Sequence, residues 1–115
     1  MIVCLPVTAD GLLGPRWGRA DRVAVADVAP DGIRSWAEHD VGWGALHDAG
    51  AEGQHHARIA RFLREHRVEA VVAQHVGGGM EQMLRSMGIP LRLAPAGDAK
   101  GAALVALRTR GSPLH

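Results

Sequence analysis

Residues 70–80 read Ala-Val-Val-Ala-Gln-His-Val-Gly-Gly-Gly-Met, an apolar run that passes through one histidine into a glycine triplet. A short apolar run without alternation predicts a strand, Ala70 to Val76, covered on both faces as strands of parallel sheets are. Beyond the glycines, Met80, Met83, Leu84 and Met87 recur at helical spacing and the pattern stops at Gly88, so a helix follows the turn. Pro90 to Ala94 supplies another short strand, and Ala99 to Leu107 a last helix that Asp98 opens as its cap. These elements form the parallel half of an α/β domain.

The front half reads differently. Ile2 to Val7 is a β-rich run closed by Thr8-Ala9-Asp10-Gly11, and Arg22 to Val28 is a second strand. Asp31-Gly32 is a hairpin signal, so Ile33 to about His39 returns antiparallel. A loop from Val41 to Gly53 precedes an amphipathic helix, Ala57 to Arg67, with Ile59, Phe62, Leu63 and His66 on one face and Arg58, Arg61 and Glu65 outside. The expected order is β-β-β-α-β-α-β-α: a five-stranded mixed sheet, three antiparallel strands then a parallel βαβα half, with three helices. That order belongs to ribonuclease H-like folds. One domain, residues 1–107, carries a polar C-terminal tail, 108–115, expected to fray.

Composition excludes several classes of function. The 13 basic and 12 acidic residues nearly balance, which argues against a general nucleic-acid or membrane-surface binder. One cysteine, Cys4, excludes an internal disulfide and any Cys-x-x-Cys metal motif, and its place inside the first strand suits a small buried hydrophobe better than a ligand. The apolar N-terminus lacks a basic leader and is too short to span a bilayer, so a cytoplasmic protein is expected. Nucleases of the ribonuclease H-like fold hold magnesium with an acidic residue in the middle of strand one. Here that stretch is Val3-Cys4-Leu5, and no Gly-x-Ser-x-Gly or His-Glu-x-x-His occurs, so the chain reads as non-catalytic.

The chemistry lies in the seven histidines. If strand one rises, strand two falls, strand three rises, and strand four rises again after a returning helix. The connections Thr8 to Asp21, Val41 to Gly53 and Val76 to Gly79 then share one edge, joined by Pro95 to Gly97. If strand four pairs beside strand one, chain order reverses there, and open α/β sheets bind ligands in that crevice. His47, His55, His56 and His75 fall on this rim and are the candidate metal ligands. His55 and His56 diverge by about 100° at a helix start, so one of the two is expected to serve. Gly77, Gly78 and Gly79 present backbone N–H groups at a helix N-terminus, which favours an anionic guest, although the triplet could equally provide a left-handed turn and close helix packing. Trp17 and Trp43 could be lids or could cover the open end of the core.

Four segments together resemble one family: Ile2-Val3-Cys4-Leu5-Pro6-Val7; Trp17-Gly18-Arg19-Ala20 ahead of a strand; Val71-Val72-Ala73 before the glycine triplet; and Leu84-Arg85-Ser86-Met87-Gly88-Ile89. The chain is similar to the dinitrogenase iron–molybdenum cofactor biosynthesis family, which includes NifX-like carriers and has a ribonuclease H-like fold. The likeness spans about residues 1–107. It implies a non-catalytic protein, related to nitrogen fixation, that binds or carries an iron–sulfur or iron–molybdenum-type cluster or its precursor and meets donor and acceptor proteins. Arg16, Trp17, Gly18, Arg19 and Gly77 to Gly79 would form the binding surface, the arginines balancing cluster charge. One or two imidazoles would act as exchangeable ligands, since a cluster held by four thiolates would be hard to hand over. Two other readings remain open: a zinc- or nickel-binding module that takes a bare divalent ion, and a ligand-free interaction domain whose exposed tryptophans contact a partner.

Overall fold

The computed structural model describes residues 1–49 and 52–110, and at 47–49, 52 and 108–110 the backbone alone. In chain order the elements are β1 (Ile2–Pro6), β2 (Arg22–Ala29), β3 (Gly32–Asp40), α1 (Trp43–Ala49), α2 (Glu52–Glu65), β4 (Ala70–Ala73), α3 (Gly78–Ser86), β5 (Leu91–Leu93) and α4 (Ala99–Arg110). The five strands form one sheet in the order β3-β2-β1-β4-β5. β1 runs antiparallel to β2, with Cys4 opposite Val25, and parallel to β4, with Val3 beside Ala70 and Cys4 beside Val71. This mixed α/β sheet agrees with the expected fold class.

Strand alternation sorts the core into two layers. Val3, Leu5, Ala24, Ala26, Ala70 and Val72 face α4, whose Ala99, Ala102, Ala103 and Ala106 form a smooth stripe that lets the helix lie close to the sheet. Cys4, Val23, Val71 and Ala73 face the other way, under Trp17, Trp43, Ile59, Leu63, Met80 and Leu84. The Asp98 carboxylate caps α4 by accepting the Gly101 N–H at 2.8 Å, and the helix runs three residues past its expected end at Leu107. The remainder of the expected tail, 111–115, lies outside the described residues.

Local departures from the expected elements have identifiable causes. The segment expected as a loop, 41–53, holds a fourth helix, α1, whose start is anchored where the Val41 and Gly42 N–H groups donate to the Asp21 carbonyl and Trp43 N–H to that of Ala20. A two-turn helix with glycines at both flanks carries too little periodicity to be seen in the sequence. α2 begins five residues earlier than Ala57. The β2–β3 hairpin turns on Pro30-Asp31 rather than Asp31-Gly32, because proline supplies the first turn residue and Gly32 takes the positive φ of +138° that follows. α3 ends as expected: Gly88 adopts φ +73° and the Ile89 N–H returns to the Leu84 carbonyl.

α2 ends the same way without a glycine. Arg67 holds φ +54°, while the Val68 N–H reaches back to the Leu63 carbonyl at 3.0 Å. A side chain in this left-handed region costs about 1–2 kcal/mol relative to right-handed backbone. Replacing Arg67 by Gly should therefore raise unfolding stability by roughly 1 kcal/mol, measured by denaturant titration, and an unchanged or lower midpoint would contradict the strain.

Candidate functional site

Chain order reverses between β1 and β4, and the loops leaving these two strands border a cleft of about 410 Å³. Its lining is Arg16, Trp17, Gly18 and Arg19 from the first loop, His75 and Gly77 to Met80 from the second, and His55 and His56 from α2. Every expected site residue except His47 is thus gathered at one place. His47 lies on α1, and its side chain falls outside what is described.

The three described imidazoles have different environments. His55 is buried and its Nε2 lies 2.7 Å from the carbonyl oxygen of Gly18. A carbonyl only accepts, so this nitrogen carries the proton and the ring holds the Trp17–Arg19 loop from below. His55 thus braces the loop through Gly18, while His56 stands beside it in the cleft lining. His56 is half-buried, His75 is exposed, and both line the cavity. The His56 ring leans on Gly79: a Cβ placed there would come within 3.1 Å of its Cε1 atom.

The glycine triplet is not a left-handed turn. Gly77 has φ −68° and is the N-cap of α3, and neither Gly78 nor Gly79 has positive φ. Gly79 is explained by the close approach of His56, but a Cβ at Gly77 or Gly78 would meet nothing within 4 Å. No side chain caps α3, so the first-turn N–H groups open toward the cleft with the positive end of the helix dipole behind them. Arg16 and Arg19 are exposed on the facing rim, forming a ridge between the cleft and a second hollow that Asp21, Arg22 and Asp40 also line. The cleft is an open concavity bordered by two arginines, three imidazoles and bare backbone donors.

Among the described residues, no group of three or more His, Cys, Asp or Glu side chains comes together to hold an ion. Cys4 is fully buried, and desolvation pushes its thiol well above the ordinary range, so it stays protonated inside the sheet. The tryptophans are not lids. Trp17 and Trp43 are buried and meet edge to face with ring centroids 5.2 Å apart, closing the open end of the core. That weakens the ligand-free interaction reading, which called for these tryptophans to be exposed.

Two residues escaped the sequence reading. Gln74 donates its side-chain amide to the carbonyl oxygens of Leu13 and Gly14 at 3.0 and 3.3 Å, which ties the two cleft-forming loops together. Met80, expected only as core, is buried yet reaches the cleft floor, its Cε close to Gly18. A glutamine directly after an apolar strand was the available signal for the first. Gly44 is another tight spot, like Gly79: a Cβ there would come within 2.9 Å of the Arg19 carbonyl oxygen, so α1 presses directly on the arginine loop.

A family model for the dinitrogenase iron-molybdenum cofactor matches residues 1–110. The chain belongs to that family. No curated protein matches it, but solved structures do. The apo form of the orange protein from Desulfovibrio gigas superposes with TM-score 0.73 at 21% identity, covering 95% of this chain and 88% of that one. PH0822 gives TM-score 0.71 at 15% identity, covering 95% and 92%. A Thermotoga protein provisionally assigned as NifB gives 0.67 at 18%, covering 96% and 88%. At such identities these likenesses carry the fold. Family membership fits a cluster-binding or biosynthetic role connected with the iron–molybdenum cofactor, and no described helix is long and apolar enough to cross a membrane.

The two kinds of glycine can be separated by substitution. Gly78→Ala should leave the thermal midpoint unchanged or raise stability by up to about 1 kcal/mol, because alanine is the better helix former and meets open space. Gly79→Ala should instead displace the His56 ring, read as a shift of its imidazole carbon-bound proton resonances. Identical His56 resonances in both variants would contradict the close approach.

Proposed function

We propose that this chain is a non-catalytic carrier that takes an iron–sulfur or iron–molybdenum-type cluster, or its precursor, as cargo in the cleft between the β1 and β4 loops. The observation that carries the reading is the pair of glycines, Gly77 and Gly78, that neither backbone conformation nor packing requires, placed at an uncapped helix N-terminus among His56, His75 and two arginines. Such positions leave room over bare N–H donors, where a bulky anion can come close.

A metal–sulfur cluster is anionic, soft and several ångströms across. The N–H groups of Gly78, Gly79 and Met80 would face its outer sulfurs, Arg16 and Arg19 would offset its charge, and His75 and His56 would occupy one or two metal positions. The shortage of protein ligands suits delivery: two imidazoles hold a cluster loosely enough for a thiolate-bearing acceptor to displace them. His55 and Gln74 do not touch the cargo in this scheme. They keep the two rims in register, His55 through Gly18 and Gln74 through Leu13 and Gly14. Donor and acceptor proteins would meet the exposed rim, and the protein would work in the cytoplasm, where clusters are assembled under reducing conditions.

The test is anaerobic gel filtration after incubating the purified protein with isolated iron–molybdenum cofactor, with His56→Ala/His75→Ala in parallel. Iron and molybdenum should co-elute with the unmodified protein and fall at least tenfold in the double variant, a loss in line with removing metal ligands. The thermal midpoint should barely move, since both substitutions are at partly or fully exposed positions. Equal loading of both proteins would remove the histidines from the site, and no loading of either would overturn the carrier reading.

A further inference from the structure

Away from the cleft, the structure brings together two histidines with no part in the proposed cargo site. His39 on β3 and His66, the residue after α2, have ring centroids 4.7 Å apart with planes tilted by 58°. Phe62 lies against both, 4.3 Å from His66 and 5.5 Å from His39. Both histidines are half-buried, and neither imidazole ring forms a hydrogen bond or ion pair with another described residue. Their ring nitrogens are also absent from the fully enclosed unpartnered polar atoms, so solvent reaches them.

We propose that His39 and His66 form a second, separate metal site, for a bare divalent transition-metal ion of tetragonal preference such as Cu(II) or Ni(II). The spacing supports this. With a metal–nitrogen bond of about 2.0–2.1 Å, each imidazole centroid lies about 3.2 Å from the ion, so two rings at a right angle are about 4.5 Å apart and two at the tetrahedral angle about 5.2 Å. The observed 4.7 Å falls nearer the right angle, which is the cis geometry of square-planar and octahedral complexes. No third protein ligand is in reach among the described residues, so water would complete the coordination and the ion would remain exchangeable. Phe62 packs against both rings and also meets Trp43, ring centroids 5.6 Å apart, which provides a built-in reporter.

The experiment titrates Cu(II) at about pH 7.5 into the full chain carrying His56→Ala/His75→Ala, so that His56 and His75 cannot contribute. Tryptophan emission should be quenched with a break at one equivalent, and the electron paramagnetic resonance spectrum should show coupling to two nitrogens. Adding His39→Phe, which keeps a ring against Phe62, should weaken binding at least tenfold and reduce the coupled nitrogens, and His66→Gln should do the same. Circular dichroism confirms that each variant is folded. Equal affinity with and without His39, or coupling to two nitrogens that survives either substitution, would overturn the proposal. Because the titration omits iron and sulfide, its outcome is independent of the carrier reading.

Discussion

The central strand is the constraint on which everything else rests. β1 is fully buried at Val3, Cys4 and Leu5 and must satisfy two unlike neighbours, β2 antiparallel and β4 parallel. An antiparallel neighbour can be reached by a loop at the same edge, whereas a parallel one demands a crossover. The chain therefore leaves β1 in one direction and arrives from β4 in another, and the gap between the two exits is the cleft. The alternation of side chains along β1 allots α4 to one face and α1 to α3 to the other. Packing forces the cleft into existence before any residue in it is chosen for chemistry.

What occupies the cleft's rim is then a matter of local interactions. The N-terminus of α3 supplies donors that no side chain satisfies, and the arginine loop supplies charge. Holding these parts in register takes a small set of hydrogen bonds: the His55 ring on Gly18, the Gln74 amide on Leu13 and Gly14, and α1 pressed on Arg19 through the missing side chain of Gly44. Within the loop, the buried Trp17 packs edge to face on Trp43 and anchors the loop to the core.

Much of this was legible in the sequence because it depends on periodicity. The apolar run 70–76, of which 70–73 forms the strand, the methionine stripe, Gly88 and Asp98 each report a burial pattern or a terminus; connection rules set the strand directions, and the pairing of strand four beside strand one, a condition in the sequence, is met in the structure. The convergence of Arg16, Trp17, Gly18, Arg19, His55, His56 and His75 with the glycine triplet follows from that topology. What was not legible depends on atoms meeting across the chain. Nothing near His55 signals that its nitrogen reaches a carbonyl 37 positions earlier in sequence. The short helix α1, the role of Gln74 and the ordinary backbone of Gly77 are of the same kind. Pro30 moved the hairpin by one residue because two turn signals overlapped, and only strand pairing decides between them. The meeting of His39 with His66 was equally invisible, since they sit on elements that no periodic pattern relates.

The enclosure of Cys4 has a consequence of its own. Thiolates are the strongest competitors for iron and molybdenum in a protein, and they are also what oxidants attack first. This chain has one sulfhydryl and keeps it protonated in the middle strand of the sheet. With that sulfhydryl enclosed, the chain offers no thiolate to a metal and no partner for a disulfide with another protein. The molecule is chemically mute toward thiols, a property suited to repeated use.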